Sequence, residues 1–146
     1  MSKKNKIEIT VVLDNIRSMH NIGSIFRTCD AIGSSKIFLC GICGTPPHKE
    51  IHKTALGSTQ HIKWKYFAKT EDAVRTLKND NYEIISIEQT NKSIALNTFD
   101  TTQTKIALIF GNEVKGVGEK IISLSSKCIE IPQNGIKKSM NVAVAV

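Results

Sequence analysis

Gly111-Asn112-Glu113-Val114-Lys115-Gly116 directly follows the apolar run Ile106-Ala107-Leu108-Ile109-Phe110. Pro132, Gly135 and Ser139-Met140-Asn141-Val142 follow a second such run, Cys128-Ile129-Glu130-Ile131. Glycines after a strand suit a phosphate loop, but that loop needs a Lys-Ser/Thr pair after its second glycine to reach the β/γ-phosphates. Val117-Gly118 stands there instead, and no G-x-G-x-x-G follows a strand, which disfavours nucleoside triphosphate and NAD. Cys40-x-x-Cys43 with His48-x-x-x-His52 offers zinc-ligand types. The gap between the pairs is much shorter than finger spacing. Cys40 also ends an apolar strand, where a packed thiol is expected. No thioredoxin-like context supports redox chemistry at the pair.

A third cluster lies near the amino end. Asp14-Asn15-Ile16-Arg17 and Asn21-Ile22-Gly23-Ser24 flank the start of a helix. Asn21 is the natural cap there. A helix start with Arg17 and Arg27 beside it is also an anion site. Arg27 lies mid-helix on the polar face, six residues after Asn21, where the plain alternative is a solvated side chain. Glu113 is otherwise a turn carboxylate, and Ser139 and Asn141 are otherwise caps of the last segment. Singly, none of these is specific.

The elements that must position these residues alternate. Residues 7–13, 36–40, 63–67, 82–87, 105–110 and 127–131 read as strands. Ile22, Ile25, Phe26, Cys29 and Ile32 fall at helical spacing before the stop at Gly33, leaving Ser24, Arg27 and Thr28 on the opposite face. Residues 48–56 read as a short helix, and Thr70 as the cap of a helix through residue 78. Residues 14–21, 41–47 and 91–104 read as loops. This alternation implies an α/β fold with a mostly parallel sheet and helices on both faces. Ligands of such sheets sit outside the carboxyl ends of the strands.

At 146 residues, 40% hydrophobic and 23% charged, the chain reads as one domain, residues 1–146, of ordinary globular composition. No apolar run approaches the ~20 residues of a membrane helix. The basic start Met1-Ser2-Lys3-Lys4-Asn5-Lys6 lacks the apolar segment of a signal peptide, so a cytoplasmic location is expected. A formal charge of +7 and a pI of about 9.3 suit a polyanionic partner, most often nucleic acid. Aromatics at 5% argue against a binder built from Phe and Tyr stacking platforms. Cys29, Cys40, Cys43 and Cys128 are expected buried and reduced.

Taken together, the motifs resemble the SpoU/TrmH RNA ribose methyltransferases of the SPOUT superfamily. The first signature is similar to Asn15-Ile16-Arg17-Ser18-Met19-His20-Asn21-Ile22-Gly23-Ser24-Ile25-Phe26-Arg27-Thr28. The second is similar to Phe110-Gly111-Asn112-Glu113-Val114-Lys115-Gly116-Val117, and the third to residues 131–145. The resemblance implies a C-terminal trefoil knot, a homodimer, S-adenosyl-L-methionine, and methyl transfer to a ribose 2′-hydroxyl. It places the methyl donor at Ile87, Gly111, Ile131 and Met140, with Glu88, Asn112 and Gly116 beside them. It puts Arg27 at the ribose, with Asn21, Glu113, Ser139 and Asn141 shaping the site and its phosphate contacts.

Arginine stays protonated, so Arg27 suits stabilisation of a developing alkoxide rather than proton abstraction. No metal is expected, because a sulfonium already makes its methyl group electrophilic. With no room for a separate RNA-binding domain, tRNA is favoured over ribosomal RNA. A ribosomal RNA enzyme, or a non-catalytic RNA-binding module that kept the fold, is the alternative. The chain ends at Val146, short of the C-terminal helix that the resemblance implies, so a weaker dimer and a weaker hold on the donor are expected than for an extended version.

Overall fold

Strands that are apolar at successive positions form the middle of the sheet, because both of their faces are covered. The computed structural model describes residues 7–33, 36–87, 94–95, 104–112 and 115–130. Their strands are β1 (Glu8–Asp14), β2 (Lys36–Cys40), β3 (Lys63–Phe67), β4 (Glu83–Ile87), β5 (Ile94–Ala95), β6 (Lys105–Phe110) and β7 (Lys127–Glu130). All pair in parallel, in the order β3-β2-β1-β6-β4-β7-β5. The helices are α1 (Met19–Ile32), α2 (Lys49–Ala55), α3 (Thr70–Asn79) and α4 (Glu119–Leu124).

The two-residue side-chain period sorts the core. Val11 and Leu13 of β1, with Ile37 and Leu39 of β2, meet Ile22, Ile25 and Phe26 of α1 and Ile51 of α2. Val12, Phe38, Ile84, Ala107 and Ile109 point the other way, onto Ala73, Val74 and Leu77 of α3 and Ile121 of α4. The expected coverage of both faces is therefore present. β1 leaves through α1 towards β2, and its neighbour β6 leaves through α4 towards β7 on the other side. The connections from β1 and β6 thus run to opposite edges of the sheet, which makes the boundary between these two parallel strands the position where open parallel sheets bind ligands.

Several boundaries differ from the sequence expectation. α1 starts at Met19, and its cap is Ser18, whose hydroxyl accepts from the Asn21 N–H at 3.1 Å. Asn21 is thus a buried residue of the first turn and not the cap. Thr70 does not cap α3 either; the cap position is Lys69, with no side-chain bond. The Thr70 hydroxyl instead donates to the Asp14 carboxylate at 2.6 Å, joining the start of α3 to the end of β1. β5 lies inside the stretch expected to be loop, residues 91–104. α2 is capped by His48, whose Nδ1 accepts from the Glu50 N–H at 3.1 Å.

Gly23 decides how closely α1 and α2 pack. A Cβ there would run into Thr54 Oγ1 and the Ile51 carbonyl oxygen. The Thr54 hydroxyl donates across this contact to the His20 carbonyl at 3.0 Å.

Candidate functional site

The first signature begins where β1 ends, and its Asn15 joins three strand ends. Asn15 has φ 57, a left-handed conformation that asparagine tolerates better than most residues. Its N–H donates to the Cys40 carbonyl at 3.2 Å, and its Oδ1 accepts from the Ile42 N–H at 3.0 Å. Its own carbonyl accepts from Asn112 Nδ2 at 2.7 Å. The carboxyl ends of β2, β1 and β6 are thereby fixed to one residue. Gly41, at φ 68, is the necessary neighbour, because a Cβ there would strike Asn15 Oδ1.

The cysteine pair serves the same junction. Cys43 Sγ accepts from the buried Ile16 N–H at 3.2 Å and donates to the Leu13 carbonyl at 3.3 Å. Burial, with Cys43 and Asp14 as further causes, pushes the Cys40 thiol far above its ordinary range, so it stays protonated. All four cysteines are buried and free, as expected for reduced thiols. Among the described residues, no group of three or more His, Cys, Asp or Glu side chains is placed to hold a metal.

The second signature forms a closed turn after β6. The Asn112 N–H donates to the Gly116 carbonyl at 3.2 Å and the Gly116 N–H to the Asn112 carbonyl at 2.8 Å. The Lys115 N–H is held by Asn112 Oδ1 at 3.1 Å. Phosphate loops work by pointing free N–H groups at the anion; here those three are occupied. A Cβ on Gly111 would collide with the backbone of Gly116 and Val117. The sequence argument put the approaching cofactor there; the first obstacle is the protein's own chain.

Ile87, at the end of β4, pairs with Phe110 of β6 and Ile129 of β7. Three adjacent strand ends thus bring Ile87, Gly111, Asn112 and Gly116 together. Glu88, Glu113, Ile131, Ser139, Met140 and Asn141, and the segment in which a knot would form, lie outside the described residues.

Arg27 stands apart from these turns, about 12 Å along α1 from its first residue at 1.5 Å per residue. It lines an open groove of about 530 Å³ between α1 and α2, with His20, Ser24, Thr28, Lys53 and Thr54. The predicted polar face of α1 is this groove's wall. Arg27 is exposed, and with described residues it makes no hydrogen bond or ion pair. Asn15 is a site residue whose role the sequence reading misses. Its signal was present: an asparagine just after a strand is a candidate for positive φ.

An all-parallel sheet with a hydrogen-bonded glycine turn at its switch point, and a groove carrying Arg27 and Lys53 between α1 and α2, defines an open α/β protein of the kind whose ligands sit at the strand ends. The chain matches the SpoU rRNA methylase family over residues 8–146 and belongs to that family. It is 32% identical over 149 residues to the tRNA (guanosine(18)-2′-O)-methyltransferase of Aquifex aeolicus, an alignment covering 98% of this chain and 67% of that one. The Thermus thermophilus enzyme of the same name is 29% identical over 143 residues, covering 98% and 72%. The solved AdoMet-bound rRNA methyltransferase of Sinorhizobium meliloti superposes with a TM-score of 0.88 at 31% identity, covering 94% of this chain and 52% of that one. The chain therefore spans about two thirds of the Aquifex protein and about half of the Sinorhizobium protein.

Proposed function

We propose that this chain transfers the methyl group of S-adenosyl-L-methionine to a ribose 2′-hydroxyl of tRNA. The observation that carries the reading is Arg27, exposed in a basic groove of a chain whose family match runs over residues 8–146. The tRNA 2′-O-methyltransferase name of the Aquifex relative supports the substrate. AdoMet in the Sinorhizobium relative supports the donor.

In this reading Ile87, Glu88, Gly111, Asn112, Gly116, Ile131 and Met140 hold the donor at the strand ends, inside a C-terminal knot. When bound, the donor supplies an electrophilic methyl carbon. Arg27 would hold its guanidinium at the 2′-oxygen and stabilise the negative charge that grows there; as the O–C bond forms the S–C bond breaks, the donor leaves as a neutral thioether, and the hydroxyl proton passes to water because the guanidinium cannot take it. Asn21, Glu113, Ser139 and Asn141 orient the ribose and the neighbouring phosphate. Holding oxygen and methyl group in line removes much of the entropic barrier. The functional unit is a homodimer.

The test is incubation with an unmodified tRNA transcript and labelled donor, followed by nuclease digestion and mass spectrometry. A 2′-O-methylated nucleoside, sought first at guanosine 18, is the expected product. Methylated base would overturn the ribose reading. Transfer only to a ribosomal RNA transcript would favour the substrate class named for the Sinorhizobium relative. RNA binding without transfer would favour a non-catalytic module.

A further inference from the structure

α2 has two walls. Lys53 and Thr54 face the Arg27 groove, and His48, Ile51 and His52 line a second concavity of about 340 Å³ on the other side. Pro46, Pro47, Thr59, Gln60 and Trp64 line the rest of this half-open slot. Its volume lies in the range of small-ligand pockets. Trp64 sits on β3, the edge strand, beside Ile37 and so on the α1–α2 face of the sheet. It stays 37% exposed, and Tyr66 on the same face is 43% exposed, with its hydroxyl held by the Gly41 carbonyl. An indole left open at the edge of a sheet, in a slot walled by proline rings and imidazoles, has the surfaces a planar aromatic ligand needs.

Charge identifies the ligand further. Between residues 41 and 69 stand Lys49, Lys53, Lys63, Lys65 and Lys69 against the single acidic residue Glu50. Of these, Lys49 and Lys53 lie on α2 beside the slot, while Lys63 and Lys65 alternate with Trp64 and turn to the opposite face of the sheet, Lys65 over the Phe67 ring at 4.9 Å, so the excess of four in this segment is shared between the two faces. Three of the four histidines, His48, His52 and His61, lie there too. Among the described residues the ion pairs are elsewhere, on Glu71, Asp80 and Glu83. Because His48 Nδ1 accepts from the Glu50 N–H, its neutral ring carries the proton on Nε2 and keeps a donor for a ligand. A second copy of this basic face would be repelled, and an apolar peptide has no use for the lysines. A π-faced group attached to a polyanion satisfies both features.

We propose that the Trp64 slot takes an unpaired nucleobase of the RNA, with Lys49 and Lys53 of α2 on the flanking phosphates. This rests on the reading of the chain as an RNA methyltransferase. It adds that the substrate crosses α2, one helix width of ~10–12 Å from the Arg27 groove, and that recognition requires a base out of its stack a few nucleotides from the methylated ribose. The low aromatic content argued against a row of stacking platforms; a single slot needs only one.

Trp64 is the chain's only tryptophan, so its fluorescence reports on this position alone. An unmodified tRNA transcript should quench it along the same curve that filter binding gives. Inorganic polyphosphate at equal phosphate concentration should bind without quenching. Trp64→Ala should weaken tRNA binding by roughly 5- to 100-fold, the range for loss of one stacked base. The loss should appear in KM rather than kcat, and Trp64→Phe should restore most of it. Thermal melting checks that both variants fold; if Trp64→Ala does not, quenching of the unaltered protein still decides. Absent quenching, equal quenching by polyphosphate, or an emission change driven by protein concentration alone would each overturn the slot, the last in favour of a second copy. Quenching by a tRNA that is never methylated would keep the slot and sink the proposed activity instead.

Discussion

The two faces of the sheet handle charge in opposite ways. On the α3–α4 face, Glu71 pairs with Arg75 at 3.9 Å and with Lys120 at 3.4 Å. At the amino ends of the strands, Lys105 pairs with Asp80 at 3.3 Å and Lys127 with Glu83 at 3.1 Å. On the α1–α2 face, among the described residues, Arg17, Arg27, Lys49 and Lys53 have no such partners. Among the described residues, the first face pairs Arg75 and Lys120 with its own Glu71, while Arg27, Lys49 and Lys53 of the second form no ion pair. A net charge locates no binding surface. The distribution of counter-ions already supplied by the fold does.

That contrast is sharpened most by Arg27. Arg27→Ala should lower methyl transfer by ~10²–10³, the cost of removing one stabilising donor. Arg27→Lys should also be poor, because a point charge does not reproduce the planar fork. Titration calorimetry should find donor affinity nearly unchanged. An equal loss of rate on removing Lys120 from the opposite face would erase the distinction.

The next effect belongs to the turn that both faces share. Gly111→Ala forces a methyl group into the Gly116–Val117 backbone, so it should cost about 1–3 kcal/mol of stability. Because the obstacle is the chain itself, urea unfolding should show the loss without any methyl donor. Stability unchanged, with donor binding lost, would return the glycine to a purely ligand-facing role.

Smaller still is the contribution of single lysines. Replacing both Lys49 and Lys53 by alanine should flatten the logarithmic salt dependence of binding to single-stranded RNA by about 1.4, at ~0.7 per phosphate. Lys120→Ala should leave that slope alone. The smallest effect is the stability change in Glu71→Ala. Its partners are largely solvent-exposed, and removing the pairs should cost no more than about 0.5–1 kcal/mol by chemical denaturation.

Much of this is legible in the sequence. The strand assigned to residues 105–110 is β6 as observed, because six consecutive apolar-rich positions admit little else in a doubly covered sheet. The polar face Ser24-Arg27-Thr28 became a groove wall because the 3.6-residue period fixes it once the buried face is known. The periodic pattern starts α1 too late because Met19 and His20 add nothing to that period, while Ser18 acts through one hydrogen bond. β5 is two residues long and carries no period at all. The insertion of β6 between β1 and β4 is a choice of partners, which local patterns do not encode. Cys40 and Cys43 had ligand spacing, but what they do depends on which carbonyl and which amide reach the sulfur of Cys43.

The place of β6 in the sheet has a consequence for how the chain emerges during synthesis. β4 bonds only to β6 and β7, and the inner edge of β1 bonds only to β6. Both edges therefore exist before their partner does. At ~5–20 residues per second, the interval between residue 87 and residue 110 leaves the Ile84-Ile85-Ser86-Ile87 strand unpaired for about 1–5 s. During that interval it is open to pairing with other nascent chains, and closure waits on contacts about 97 residues apart in sequence, such as Asn15 with Asn112.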